Sequence, residues 1–137
     1  MKKILVLCTG NSCRSQIAEA YLRKFAQNKA EIFSAGIGAH GLNPNAILTM
    51  EEDGIDIRKH TSNTIEEYLG TQFDLIITVC DNAKERCPVF PSSAKVFHHN
   101  FPDPAKAAGT KEEILQQFRE VREMIKEYCA GFIEREI

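Results

Sequence analysis

A cysteine and an arginine near the start of the chain, Cys8 and Arg14, enclose a run of small residues. The run is Cys8-Thr9-Gly10-Asn11-Ser12-Cys13-Arg14-Ser15, and we call it the anion loop, residues 8–15. An apolar stretch precedes it and an amphipathic one follows, which predicts a buried strand leading in and a helix leading out. Backbone N–H groups from Thr9 to Cys13 can turn inward beside the positive helix end, and Arg14 adds a fork of donors. The loop therefore predicts binding of a phosphate-like oxyanion above a thiol.

The same donors stabilise a thiolate, so we expect the pKa of Cys8 to lie well below its usual value of about 8.5. Ser15, at the start of the helix, can donate its hydroxyl to the sulfur. Cys13 is expected to point away from the anion and to pack in the core. The structural alternative for the whole run is a buried cysteine, an exposed arginine and an ordinary strand-to-helix turn.

Length and composition limit the chain to one domain, residues 1–137, with 43% apolar residues to build a core. Seventeen basic and nineteen acidic residues give a net charge of −2, so no strong field attracts nucleic acid or an anionic membrane. The apolar run 4–7 is too short for a signal peptide, and no stretch could span a bilayer. We expect a cytoplasmic monomer whose five cysteines are thiols rather than structural disulfides.

Strand-like apolar runs at residues 3–7, 31–34, 74–79 and 95–98 alternate with helical segments. This alternation predicts an α/β fold with a parallel sheet. The first helix should bury a face made of Ile17, Tyr21, Leu22 and Phe25. Asn43-Pro44 and Gly54 predict the start and end of a second helix, and Asn63 with Glu66 predicts the cap of a further short one.

The segment near the C-terminal end has the clearest helical pattern. Thr110 and Glu113 form a capping box. Apolar residues then recur at helical spacing: Ile114, Phe118, Val121, Ile125, Tyr128 and Phe132. This stripe should cover one side of the sheet, with a partner-binding face as the alternative, and Cys129 beside it is expected to be a core thiol.

Three chemically active residues follow different strands of the predicted sheet. Cys8 follows the first strand, Cys80 the third, and Asp103 lies in a loop after the fourth. Ligands of open parallel sheets bind beyond the carboxyl ends of the strands. We therefore expect these three residues to meet at one edge of the sheet.

Two further cysteines, Cys80 and Cys87, distinguish a site that reduces an oxyanion from one that only hydrolyses a phosphate ester. Hydrolysis through a phosphocysteine needs only one thiol. An oxyanion that can accept two electrons, such as arsenate, could instead form an adduct on Cys8 that a second thiol attacks. Reduced product would then leave, and a disulfide would remain.

The Cys-to-Arg spacing, the Ser that follows and the position after an N-terminal strand resemble the low-molecular-weight tyrosine phosphatase superfamily. Within it, the chain resembles the thioredoxin-coupled arsenate reductases. The resemblance rests on the anion loop with Gln16, Ser34-Ala35-Gly36, Asn43-Pro44, His60-Thr61-Ser62, Val79-Cys80, Cys87-Pro88 and Asp103-Pro104. It implies a three-layer αβα fold with a four-stranded parallel sheet, and reduction of arsenate, with phosphate or sulfate as competing anions.

The resemblance also implies roles for the three thiols. Cys8 would be the nucleophile, and Cys80 would attack its adduct to give a Cys8–Cys80 disulfide. Cys87 would then form a Cys80–Cys87 disulfide that thioredoxin reduces, with no bound cofactor. On a regular helix Cys80 and Cys87 would lie about 10 Å apart, beyond the roughly 7 Å that a disulfide allows between Cα atoms, so this segment must loop or unwind.

Asp103 lies between Pro102 and Pro104, where an ordinary turn aspartate is the alternative to a functional one. The resemblance implies that it is the general acid that protonates the departing oxygen. Ala105 stands where phosphatases of this superfamily tend to carry aromatic residues that hold a phosphotyrosine ring. This difference weakens the interpretation as a phosphatase.

Some members of the resembled family bind potassium through residues matching Asn11, Glu19 and Ser34, together with an aspartate. Asn63 stands at the aspartate position here, so one negative ligand is missing. We therefore predict no resident metal, with a weak potassium site at Asn11, Glu19 and Ser34 as the alternative. Asn11 is then expected to hold the shape of the anion loop through hydrogen bonds from its side chain to the backbone.

Other functions remain open on the sequence. A low-molecular-weight protein tyrosine phosphatase would use Cys8, Arg14 and Asp103 alone. A phosphocarrier or redox-sensing module would load Cys8 without turnover and would not need Arg14 or Asp103. A zinc site formed by Cys80, Cys87, His98 and His99 lacks the short paired spacing of structural zinc ligands, and the two histidines are expected at a strand end and in a loop.

Overall fold

A single parallel sheet organises the protein, whose computed structural model describes residues 1–81 and 94–137. The strands are β1 (Lys2–Cys8), β2 (Ala30–Gly36), β3 (Leu75–Thr78) and β4 (Lys95–His98), in the order β2-β1-β3-β4. All neighbouring pairs are parallel. The predicted α/β fold with a four-stranded parallel sheet is confirmed, and β1 occupies an interior position.

Three helices in the described ranges accompany the sheet: α1 (Arg14–Ala26), α2 (Pro44–Glu52) and α3 (Lys111–Glu136). Helix α1 packs against β2 and α3, and α2 also packs against α3. Two short 3-10 helices cover Ile65–Tyr68 and Pro104–Lys106. None of the helices described here has the length and apolar character needed to cross a membrane.

The two central strands are buried along nearly their whole length. Residues 4–7 of β1 and 75–78 of β3 are all buried, although successive side chains of a strand point to opposite faces. Both faces of the sheet are therefore covered, as in parallel sheets that lie between helical layers. This burial agrees with the predicted three-layer arrangement.

The predicted helix caps are confirmed at two of three places. Asn43 Oδ1 accepts from Asn45 N at 2.8 Å at the start of α2, and Thr110 and Glu113 bond reciprocally at the start of α3. The third cap is shifted by one residue. Thr64 N donates to Glu67 Oε2 at 2.7 Å, so this pair, rather than Asn63 and Glu66, opens the short 3-10 helix.

The apolar stripe of α3 is part of the core. Its residues are buried or half-buried, and the fully buried set also includes Cys129. The Cys129 thiol donates to the Ala18 carbonyl of α1 at 3.7 Å, so this cysteine is a core thiol as predicted. This stripe therefore covers the sheet and is not an exposed partner-binding face.

Candidate active site

The anion loop leaves the carboxyl end of β1 with its carbonyl groups turned outward. The carbonyl oxygens of Cys8, Thr9, Gly10 and Ser12 accept hydrogen bonds of 2.9 to 3.2 Å from backbone N–H groups of residues 37–43. A trans peptide directs its N–H opposite to its C=O. The next N–H group after each of these carbonyls therefore points inward, as an anion cradle requires.

Asn11 holds this loop together from within. Its φ of 48° lies in the left-handed region, and its side chain is fully buried. Asn11 Nδ2 donates to Ser15 Oγ at 2.8 Å and to Ser34 Oγ at 2.9 Å, while its Oδ1 accepts from Asn63 N at 2.8 Å. These bonds tie the loop to β2 and to Asn63, and they go to two side chains and to the backbone N–H of Asn63 rather than to the loop's own backbone.

The hydrogen bond between Asn11 and Ser15 differs from the expected role of Ser15 as a donor to the Cys8 sulfur. The Ser15 hydroxyl accepts from Asn11, and in the described part of the chain it does not donate to the Cys8 sulfur. Ser15 therefore supports the loop through Asn11 in this structure.

Gly10 packs closely against the His40 ring. A Cβ atom at Gly10 would lie 2.4 Å from Nδ1 of His40, so no larger residue fits without displacing that ring. Cys13 caps the start of α1 with its backbone and is buried, and burial raises its thiol pKa to about 12. Cys13 is therefore a packed, protonated thiol, as expected.

Arg14 lies at the mouth of the loop, and Phe101 and Asp103 hold its guanidinium in place. Nη1 donates to the Phe101 carbonyl at 3.0 Å, and Nη2 lies 3.6 Å from Asp103 Oδ2. The Asp103 carboxylate also accepts from Ala105 N at 3.0 Å, where it caps the short 3-10 helix. Asp103 therefore occupies both the turn position and the edge of the anion site, so the two interpretations of this residue are compatible.

Cys80 reaches the same edge from the end of β3, as the sheet topology predicts. Its Sγ lies 3.2 Å from Thr9 Oγ1, and its thiol shares a hydrogen bond with Cys8. Both cysteines are buried. Cys87 lies outside the described residues.

The ionisation of Cys8 differs from the prediction. The hydrogen bond to Cys80 and burial raise its pKa and outweigh Arg14 and the Thr9 backbone N–H, which lower it. A pKa well below the usual value is therefore wrong for this arrangement. The sequence indicated the donors of the loop but could not show a second thiol in contact with the first, and two such thiols titrate as a pair.

A cavity of about 400 Å³ opens beside these groups. It is lined by Thr9, Arg14, Cys80, Asp81, Asn100, Asp103 and Lys106. None of these lining residues, all from the described part of the chain, is aromatic. Sequence reasoning did not identify Asp81, Asn100 or Lys106, whose only sequence signal is their nearness to Cys80 and Asp103.

The residues that matched a potassium site do lie together behind the loop. Ser34 Oγ donates to Glu19 Oε1 at 2.5 Å, and Glu19 Oε2 accepts from Arg23 Nε at 2.9 Å. Asn63 instead donates its side-chain N–H to Glu67. Among the described residues there is no group of three or more His, Cys, Asp or Glu side chains that could hold a metal ion.

A hydrogen-bonded pair that the sequence did not reveal, Gln16 and His60, supports the loop from behind. Gln16 Nε2 donates to the carbonyls of Asn11 and Thr61, both at 3.0 Å. His60 Nδ1 lies 3.0 Å from Gln16 Oε1, and burial lowers the His60 pKa. A neutral His60 that donates from Nδ1 therefore fixes the orientation of the Gln16 amide.

His98 and His99 take structural positions at the end of the sheet. His98 ends β4, and the following His99 ring lies against the rings of Phe101 and Tyr128. These are the strand-end and loop positions expected from the sequence.

The fold and this loop define a class of protein: an α/β protein with a cysteine-based anion site at the N-terminal strand. The model of the family described as low molecular weight phosphotyrosine protein phosphatase matches residues 3–136. The chain belongs to this family.

Within the family, several relatives are named arsenate reductase, and the similar solved structures include both arsenate reductases and tyrosine phosphatases. An arsenate reductase of Halalkalibacterium halodurans is 48% identical over 133 residues, which cover 97% of this chain and 96% of that protein. Two solved structures, described as an arsenate reductase in the phosphate binding state and in oxidized state, are each 31% identical to the chain. They cover 98% of both chains, with TM-scores of 0.80 and 0.84.

Proposed function

We propose that this protein reduces arsenate to arsenite through a relay of cysteines. The observation that carries the proposal is the second thiol, Cys80, whose sulfur lies 3.2 Å from Thr9 Oγ1 of the anion loop and whose side chain raises the pKa of the adjacent Cys8. A phosphatase needs no such thiol, whereas a two-electron reduction does. The similarity to proteins named arsenate reductase over nearly the whole chain supports the same conclusion.

The first step is capture of arsenate. The loop N–H groups and Arg14 bind three oxygens of the tetrahedral anion. The thiol proton of Cys8 passes to the bound arsenate, and the resulting Cys8 thiolate attacks arsenic. Asp103, which lines the cavity, protonates the departing oxygen, which leaves as water. The product is a Cys8 adduct in which arsenic is still pentavalent.

The second step transfers two electrons. The Cys80 thiolate attacks the Cys8 sulfur, an S–S bond forms, and the S–As bond breaks with its electron pair moving to arsenic. Arsenite leaves, and the two thiols have been oxidised to a Cys8–Cys80 disulfide. Thiolate attack on sulfur is also the mechanism of ordinary thiol–disulfide exchange.

The third step regenerates Cys8. Cys87 attacks Cys80, Cys8 leaves as a thiolate, and a Cys80–Cys87 disulfide results. Thioredoxin, a dithiol donor, then reduces this disulfide, so no bound cofactor is needed. A donor of this kind places the reaction in the cytoplasm.

The decisive experiment follows arsenate-dependent oxidation of thioredoxin in single cysteine variants. Cys8→Ser, Cys80→Ser and Cys87→Ser should each abolish turnover, whereas Cys129→Ser, which alters a core thiol away from the site, should retain it. Normal turnover of Cys87→Ser with thioredoxin would contradict the three-thiol relay.

A protein tyrosine phosphatase is the second candidate, because the family and the loop itself favour it. It would use Cys8, Arg14 and Asp103 alone. Some aryl phosphate hydrolysis is expected under either function, since phosphate and arsenate share their shape and charge. Efficient hydrolysis that is unchanged in Cys80→Ser, together with no arsenate-dependent thioredoxin oxidation, would favour the phosphatase.

A further inference from the structure

The residues on both sides of Cys80 are tied to the end of β4 by side chains that the proposed relay does not use. Thr78 Oγ1 lies 2.7 Å from His98 Nδ1, and His98 Nε2 lies 2.8 Å from Asp81 Oδ1. The Asp81 backbone N–H also donates to Asn100 Oδ1 at 3.2 Å. His98 therefore bridges the residue two positions before Cys80 and the residue directly after it.

The hydrogen-bonding capacity of these groups determines where the protons lie. An ionised Asp81 carboxylate can only accept, so His98 Nε2 must carry a proton. In a neutral ring, Nδ1 then accepts from the Thr78 hydroxyl. In a charged ring, Nδ1 donates to Thr78, whose hydroxyl can donate to the Phe97 carbonyl at 3.4 Å. Donors and acceptors are therefore matched along the whole bridge with either form of the ring.

The two ends of the bridge differ in exposure. Thr78 is fully buried and the His98 side chain is 22% exposed, whereas the Asp81 side chain is 69% exposed. The inner contact belongs to the packed sheet edge, and the outer contact faces solvent beside the cavity. The outer contact can therefore be removed without disturbing the core.

The backbone reinforces the same connection. His99 N donates to the Thr78 carbonyl at 3.0 Å, and Phe101 N donates to the Val79 carbonyl at 3.1 Å. The Phe101 carbonyl in turn accepts from Arg14. One short segment, residues 98–101, thus holds both the strand end that carries Cys80 and the arginine of the anion loop.

We propose that His98 and Asp81 form a clasp that holds the Cys80 thiol against Cys8, which makes His98 a positioning residue for the second step. The inference rests on the proposed relay. Cys80 must reach the sulfur of the Cys8 adduct in a defined direction, and a reacting group that is already in place avoids the entropy cost of finding it. Anion capture by the loop does not use the clasp.

Two variants of His98 separate the two ends of the bridge. In His98→Gln the side-chain amide N–H can still reach Asp81, whereas in His98→Asn it can reach only Thr78. Both variants and the protein they are compared with carry Cys87→Ser, so that the Cys8–Cys80 disulfide of the second step accumulates. The reduced protein is mixed with arsenate and quenched with an alkylating agent, and the Cys8–Cys80 disulfide is followed over time by peptide mapping. We expect His98→Gln to stay within about twofold of the unaltered protein and His98→Asn to form the disulfide about tenfold more slowly, the loss typical of one charge-assisted hydrogen bond.

Asp81→Ala provides an independent arm, and it should slow disulfide formation as much as His98→Asn does. The double variant should be no slower than either single one, because both remove the same contact. Phosphate affinity, measured by calorimetry, should be unchanged in His98→Asn.

Three results would overturn the clasp. Equal rates in His98→Asn and His98→Gln would show that the Asp81 contact does not position Cys80. Loss of phosphate affinity in His98→Asn would show that His98 supports the whole edge rather than the thiol. Absence of any arsenate-dependent disulfide in the unaltered protein would overturn the proposed relay, and the clasp with it.

Discussion

The hydroxyl of Thr9 lies 3.2 Å from the sulfur of Cys80, although 71 positions separate the two residues. Thr9 directly follows Cys8, so the anion loop itself touches the second thiol. This contact joins the group that would capture the oxyanion to the group that would resolve the adduct. A cysteine present only for packing would not need a hydrogen-bond donor from that loop.

Thr9→Val removes the hydroxyl and keeps the shape of the side chain. A thiolate on Cys80 can only accept, so Thr9 would be its donor in the second step. In a Cys87→Ser background, where the Cys8–Cys80 disulfide accumulates, we expect Thr9→Val to form it about tenfold more slowly in a single turnover with arsenate, which corresponds to about 1.4 kcal/mol. Thr9→Ser, which keeps the donor, is the matched control, and equal rates for the two variants would contradict the assignment.

Cys80→Ala should make Cys8 more reactive toward an alkylating agent at neutral pH. The hydrogen bond that the Cys8 thiol donates to Cys80 is the largest cause of the raised Cys8 pKa, and the alanine removes it while Arg14 and the Thr9 amide still lower that pKa. A thiol with a raised pKa stays protonated until the pH rises past it, so alkylation in the unaltered protein should increase toward alkaline pH. In Cys80→Ala the midpoint of this increase should move to lower pH.

The rate of iodoacetamide reaction with Cys8, followed from pH 5 to 11, measures this midpoint. Cys129→Ala serves as the control, because that thiol is buried between α1 and α3 and does not contribute to the Cys8 pKa. Coincident profiles for Cys80→Ala and the unaltered protein would show that the two thiols do not share a proton.

Periodicity and topology made much of this arrangement predictable from the sequence. The apolar runs gave strand positions to within one residue for three of the four strands, and parallel strand order was enough to bring Cys8, Cys80 and Asp103 to one edge. These features depend on local patterns and on a general rule for open sheets. Neither requires knowledge of a particular side-chain contact.

Contacts between distant residues were not predictable in this way. The raised pKa of Cys8 depends on how closely two strand ends approach each other, and no local pattern encodes that distance. The bridge from His98 to Asp81 and the bond from His60 to Gln16 likewise join residues 17 and 44 positions apart. Sequence reasoning identified the residue types at this edge but not the partners that orient them.

Asn11→Ala should destabilise the fold by about 3 to 4 kcal/mol. The variant places a residue with a Cβ atom but no local hydrogen bond at φ 48°, and it leaves buried partners of three side-chain hydrogen bonds unsatisfied. Asn28→Ala is the matched control, because Asn28 also has a positive φ, of 69°, but is exposed. Asn28→Ala should lower the free energy of unfolding by about 1 kcal/mol.

Chemical denaturation of both variants measures the difference between them, which isolates the hydrogen bonds from the backbone conformation. Equal destabilisation would mean that the contacts of Asn11 contribute nothing beyond its φ angle. The phosphate affinity of Asn11→Ala should also fall, since the loop N–H groups would lose their fixed directions.

Potassium should not stabilise this protein more than sodium does. Both Glu19 oxygens already accept hydrogen bonds, from Ser34 and Arg23, and the Arg23 guanidinium supplies the positive charge that a cation would otherwise provide. Asn63 adds no negative charge, because its amide is bonded to Glu67. Melting temperatures in KCl and NaCl at equal ionic strength should therefore coincide.

Asn63→Asp restores a carboxylate at this position, and only in that variant should potassium raise the melting temperature, by about 4 °C for 1 kcal/mol of binding. A potassium-specific rise in the unaltered protein would show that Arg23 does not replace the cation.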